Sequence, residues 1–128
     1  MSLVAARSAS VLSAAVLVLF LALPASGHVT PERAEPAVGA TLHGPPKRVR
    51  IWFDAPLDGS SELKVVSADG ERVDRGDVRV DSADPRVLEV SLEDLSPGVY
   101  RVIWIAVSRD GHRTKGDYTF TVRKGRRP

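Results

Sequence analysis

The 128-residue chain has no cysteine, and its single methionine is Met1. Without cysteine there are no disulfides, no thiolate metal sites and no cysteine-linked lipid anchor. An ordered domain must then rely on its apolar core alone. Beyond Met1 soft sulfur donors for a metal ion are missing too. Aromatic residues make up only 5% of the sequence. No basic stripe interleaved with aromatics offers a nucleic-acid surface. After residue 27 no segment has convincing helical periodicity, and no internal repeat, linker or low-complexity segment interrupts the chain.

The most continuous apolar stretch is Val11 to Leu23, broken only by Ser13. It matches the h-region of a secretory leader and is short of the roughly 20 residues of a membrane span. Pro24 ends it, and small residues follow. With Ala25 at −3 and Gly27 at −1, the predicted cut falls after Gly27. Residues 1–27 are then a signal peptide, and the mature chain begins His28-Val29-Thr30. Two alternatives stand beside this: an uncleaved signal anchor, and a cut after Ala25. The second would leave Ser26-Gly27-His28, with histidine third.

The remainder, residues 28–128, has the size of one small domain with no membrane span. The pI near 9.3 is a property of the end of the chain. Residues 28–122 carry 13 Lys and Arg against 16 Asp and Glu, whereas Arg123, Lys124, Arg126 and Arg127 crowd the last six positions. Residues 123–128 are therefore read as a solvated basic tail.

Short β-branched and aromatic runs dominate the domain. They are Val49–Asp54, Leu63–Val66, Val87–Leu92, Val99–Val107 and Tyr118–Val122. Period two puts Val49, Ile51 and Phe53 on one face and leaves Trp52 on the other, partly exposed. Turns are expected at Asp58-Gly59, Ala68-Asp69-Gly70, Asp84-Pro85, Ser96-Pro97-Gly98, Asp110-Gly111 and Lys115-Gly116. Strands at this spacing predict an all-β sandwich or small barrel. Trp52 and Trp104 are read as packing residues.

Three histidines remain as ligands: His28, His43 and His112. An N-terminal His28 would offer a metal both its α-amine and its ring Nδ1. The amine has a free pKa of about 7.7–8.0, so a metal displaces its proton readily near neutrality. His112 would add a second imidazole, and Asp110, two residues earlier across Gly111, a carboxylate. Nitrogen and oxygen donors suit Cu(II). By composition and spacing alone, Asp110-Gly111-His112 also fits an ordinary hairpin turn. His43, in Leu42-His43-Gly44-Pro45-Pro46, reads as an exposed loop residue.

The domain carries Glu35-Pro36-Ala37-Val38-Gly39-Ala40, Val49-Arg50-Ile51-Trp52-Phe53, and the run from Leu95-Ser96-Pro97-Gly98 to Trp104. Val107-Ser108-Arg109-Asp110-Gly111-His112 and Gly116–Val122 follow. With these motifs the chain resembles the CopC family of secreted copper-binding, copper-resistance proteins over nearly all of residues 28–122. The resemblance implies a Greek-key β-sandwich or small barrel, immunoglobulin-like or cupredoxin-like. It also implies one Cu(II) ion per monomer, held by His28 (amine and imidazole), Asp110 and His112. A periplasmic or other extracytoplasmic location and a CopD-type membrane copper transporter as partner follow from the same likeness.

Two departures matter. Some members have a methionine-rich, histidine-containing Cu(I) loop, but Glu62 to Gly76 has neither residue, which suits a Cu(II)-only type. Some members also have an acidic residue just beyond the early strand. Here that position is Ala55, with Asp54 one step before it on the other face, so Asp54 is not assigned as a ligand.

The function expected is non-enzymatic Cu(II) sequestration or delivery. One alternative is a copper monooxygenase, which also uses an N-terminal histidine and a second histidine. Against it, Asp110 would fill space that oxygen needs. The other alternative is a metal-free adhesion sandwich.

Overall fold

The computed structural model describes residues 28–125, and the signal-peptide expectation for 1–27 lies outside them. Among these residues eight strands divide between two four-stranded sheets. β1 (Pro31–Glu35), β3 (Arg48–Phe53), β6 (Val87–Ser91) and β5 (Arg79–Val80) form one sheet, in the order β1-β3-β6-β5. The other holds β2 (Thr41–Leu42), β8 (Arg113–Val122), β7 (Gly98–Val107) and β4 (Glu62–Ser67), in the order β2-β8-β7-β4. All pairings are antiparallel except β2 with β8. This is the expected all-β sandwich.

Period-two burial builds it. Val49, Ile51 and Phe53 of β3 face inward and meet Val102, Trp104 and Phe120 from the opposite sheet in one apolar core. The Trp104 and Phe53 rings pack edge to face at 5.3 Å. Trp52 lies outside, half-buried, with the guanidinium carbons of Arg33 and Arg50 at 4.4 and 4.9 Å from its ring centre. Both tryptophans are therefore packing residues.

Three expectations are corrected. β1 was not expected, because Pro-Glu-Arg-Ala-Glu has no apolar alternation. It forms because it is an edge strand, where proline at the first position and polar side chains are tolerated. The two-residue strands β2 and β5 are too short to leave a pattern. Lys115-Gly116 is no turn either: β8 runs straight through it, paired with Ile105 and Trp104 of β7. Gly116 is there because the indole of Trp104 fills the space of a side chain. A Cβ at that position would stand 2.4 Å from Trp104 Cζ2.

Candidate metal centre

The start of β1, the end of β3 and the β7–β8 turn meet at one pole of the sandwich. His28 is exposed, but the next residue, Val29, is only 1% exposed and belongs to the core. Hydrogen bonds fix the segment further. The Thr30 amide donates to Asp54 Oδ1 at 2.8 Å, the Asp54 amide donates to the Thr30 carbonyl at 3.0 Å, and the Thr30 hydroxyl donates to the His28 carbonyl at 3.2 Å. Asp54 is thus the anchor of the segment bearing His28. Its carboxylate is engaged by the Thr30 amide just ahead of β1, which agrees with leaving Asp54 out of the ligand set.

His112 enters from the turn. The Ser108 amide donates to the His112 carbonyl, and the Gly111 amide to the Ser108 carbonyl, both at 2.9 Å. Gly111 sits at φ 90°, a conformation that L side chains rarely adopt. Ser108 is buried at the base of the turn. Its hydroxyl accepts from the His112 amide at 3.0 Å and donates to Asp110 Oδ1. Asp110 Oδ2 stands 3.0 Å from His112 Nδ1. The Ser108 hydroxyl, followed by the His112 ring, lowers the Asp110 carboxyl to about 2. It is therefore a carboxylate at any physiological pH. With Nδ1 facing this carboxylate, Nε2 is the ring nitrogen left to face outward for a ligand.

The ring centres of His28 and His112 lie 6.1 Å apart, with the ring planes 76° from parallel. Metal–imidazole bonds of about 2.0 Å put a ring centre about 3 Å from an ion it ligates. Two rings on opposite sides of one ion then stand about 6 Å apart. The spacing fits a shared ion, and the nitrogen and oxygen donors fit Cu(II). Among the described residues, no three His, Cys, Asp or Glu side chains converge closely enough to hold a metal by themselves. Asp110 turns toward His112, so the cluster of side chains is a histidine pair with a carboxylate behind one member.

His43 is not brought to this pole. It follows β2, which pairs with the far end of β8, and the Arg123 amide donates to the Leu42 carbonyl at 2.7 Å beside it. The ten residues of β8 separate it from His112, about 30 Å at strand rise.

Fold and site together define a small β-sandwich with paired imidazoles and a carboxylate at one pole, a class suited to a hard or borderline metal ion. The CopC domain model matches residues 31–123, so the chain belongs to the CopC family of copper-binding, copper-resistance proteins. It is similar to the copper transport protein CutJ of Bacillus subtilis, 32% identical over 114 residues, covering 85% of this chain but 21% of CutJ. The chain thus spans about a fifth of that relative. Protein YobA of Escherichia coli is 34% identical over 114 residues, covering 85% of this chain and 90% of YobA.

Among solved structures, CopC from Methylosinus trichosporium OB3b superposes with a TM-score of 0.72 at 26% identity, covering 79% of this chain and 99% of that one. PcoC, a methionine-rich copper resistance protein from Escherichia coli, gives 0.66 at 28% identity, covering 76% and 100%.

Proposed function

We propose that the chain binds one Cu(II) ion outside the cytoplasm and sequesters it or passes it to a membrane copper transporter of the CopD type, without catalytic turnover. His28 and His112 supply imidazoles, Asp110 a carboxylate, and the α-amine of His28 the remaining strong donor. That amine exists only once the Gly27–His28 peptide bond is broken, so removal of residues 1–27 belongs to the function. The observation that carries the reading is the 6.1 Å spacing of the His28 and His112 rings. It is supported by the absence of any sulfur donor after Met1, which leaves Cu(I) no soft ligand.

Intact mass spectrometry of the secreted protein, with and without Cu(II), tests the cut and the stoichiometry together. A mature chain starting at His28 with one copper is expected. His28→Ala or His112→Ala should each weaken Cu(II) binding by orders of magnitude. Unchanged affinity in either variant would sink the assignment.

The 3.0 Å contact between Asp110 Oδ2 and His112 Nδ1 favours a second reading of Asp110, as the group that orients His112 from outside the coordination shell. Electron paramagnetic resonance of Asp110→Asn separates the two. A changed copper spectrum means a direct ligand. An unchanged spectrum with affinity about 10–100-fold lower means an orienting partner.

A further inference from the structure

β7 is apolar on both faces. Tyr100, Val102, Trp104 and Ala106 point into the core, as period two requires. On the outer face Val99, Ile103 and Ile105 accompany Arg101, although the outer face of an antiparallel sheet is ordinarily polar. Val99 is 49% exposed, and Ile103 and Ile105 are half-buried. Val66 of β4 pairs with Arg101 and so lies diagonal to both Val99 and Ile103. The four side chains form one contiguous patch rather than scattered exposed residues.

The surface is indented along this strand. Depressions of about 410 Å³ lie on each side of Ile103 and Ile105, toward β4 and toward β8. A third, of about 350 Å³, lies between Val66, Val99 and Thr119. The depression toward β4 is walled on its far side by Arg72 and Val78 of the β4–β5 connection, and the one toward β8 by Lys115, Gly116 and Asp117.

Charge on this face is asymmetric. Arg101 pairs with Asp117 at 3.7 Å and Arg113 with Glu62 at 3.9 Å. Lys64, beside Ile103 in the register, and Lys115, beside Ile105, enter no ion pair among the described residues. Two unneutralised ammonium groups therefore flank the isoleucines on opposite sides. With Glu62 and Asp117 neutralised by their arginines, the free charge of the face is confined to two points beside the isoleucines, which a protein segment can meet with single carboxylates set between apolar side chains. The concave depressions suit inserted side chains as well.

We infer that the outer face of β7 is a docking surface for a partner protein. The partner presents a segment with apolar side chains for the Ile103–Ile105 depressions and carboxylates for Lys64 and Lys115. The surface is distinct from the histidine pole, and its occupation requires no copper.

The test places the photoreactive p-benzoylphenylalanine at position 105 of the full chain, expressed in its source cells, and irradiates. A second strain carries the probe at position 48, on the outer face of the other sheet. The expected result is a protein adduct at 105 and not at 48, mapping by mass spectrometry to an apolar segment with acidic residues. Its yield should fall about tenfold with Lys64→Glu plus Lys115→Glu, as loss of charge complementarity predicts. No adduct, a lipid adduct, an adduct of two copies of this chain, or a yield indifferent to charge reversal would overturn the inference. The lysines are exposed, so their reversal leaves the fold intact; thermal unfolding confirms this for each variant. Cu(II) titration of the same variants should be unchanged, which keeps a failure here separate from a failure of the copper site.

Discussion

At the scale of single residues, two aspartates fix segments that lack a regular ladder. Asp54 holds the strand entry that carries His28, through the Thr30 amide at 2.8 Å. Asp54→Ala should leave the sandwich folded and free the end of the chain. Cu(II) affinity should then drop about 10–100-fold, as for other partners that orient ligands, measured by competition titration. Asp74, with its side chain fully buried, does comparable work far from the site. It accepts from the Val65 amide at 2.8 Å, the Gly76 amide at 2.9 Å and Arg72 Nε at 3.0 Å. Burial opposes its ionisation, but the hydrogen bonds from Arg72, Val65 and Gly76 outweigh it, and its pKa is lowered.

A lowered carboxylate pKa stabilises the fold above the unfolded value of about 3.9 and stops doing so as pH falls through the folded value. Asp74→Ala should therefore cost about 2–4 kcal/mol at neutral pH. In urea unfolding, the gap between wild type and variant should narrow on going from about pH 5 to about pH 2. A gap constant over that range would show that the carboxylate charge is not what stabilises.

At the scale of elements, the β7–β8 hairpin is the frame of the molecule. Ten paired positions run from Gly98–Val122 to Val107–Arg113, and the turn that closes them presents Asp110 and His112. The hairpin depends on Gly116. Its missing side chain lets Trp104 lie against β8 and reach Phe53 across the core. Gly116→Ala should destabilise by about 1–3 kcal/mol through overpacking, read from urea midpoints. Trp104→Leu in the same chain should restore part of the loss, because the two positions are coupled. Independent, additive effects would refute the contact.

The same hairpin shows what a sequence reading sees and what it misses. Tyr118–Val122 alternates cleanly and was legible as a strand. Arg113–Asp117 is polar with a glycine, so its pairing to β7 could be read only from the partner strand. Glu89 on β6 is similar. It is 6% exposed within a strand buried on both faces. It is tolerated because Arg79 and Arg48 lie 2.9 and 3.2 Å from it, from β5 and β3. No local pattern announces three elements converging on one carboxylate.

At the scale of the whole molecule, the described residues share one core without a disulfide, and the proposed copper site joins His28 to a turn more than 80 residues later. An ion held by both ends of that span binds only the folded chain, so copper binding and stability are linked. Cu(II) at a thousandfold excess over its dissociation constant should add about 4 kcal/mol to the stability of the mature protein. A chelator should reverse the gain. In His112→Ala the copper-induced rise in Tm should largely vanish, and a rise equal to wild type would place the ion elsewhere.

Fold class, family and the chemistry open to the site are legible in the order of the amino acids. Period-two runs demand two packed faces, and a chain without sulfur after Met1 leaves only nitrogen and oxygen donors. Which donors come together depends on packing: His28 and His112 are neighbours through the sheets, while His43, nearer His28 in sequence, lies at the other pole. Packing also decided the role of Asp54, the strand through Gly116 and the two-sided apolar β7. Each of these depends on contacts between residues far apart in the chain, and period and composition carry no information about such contacts.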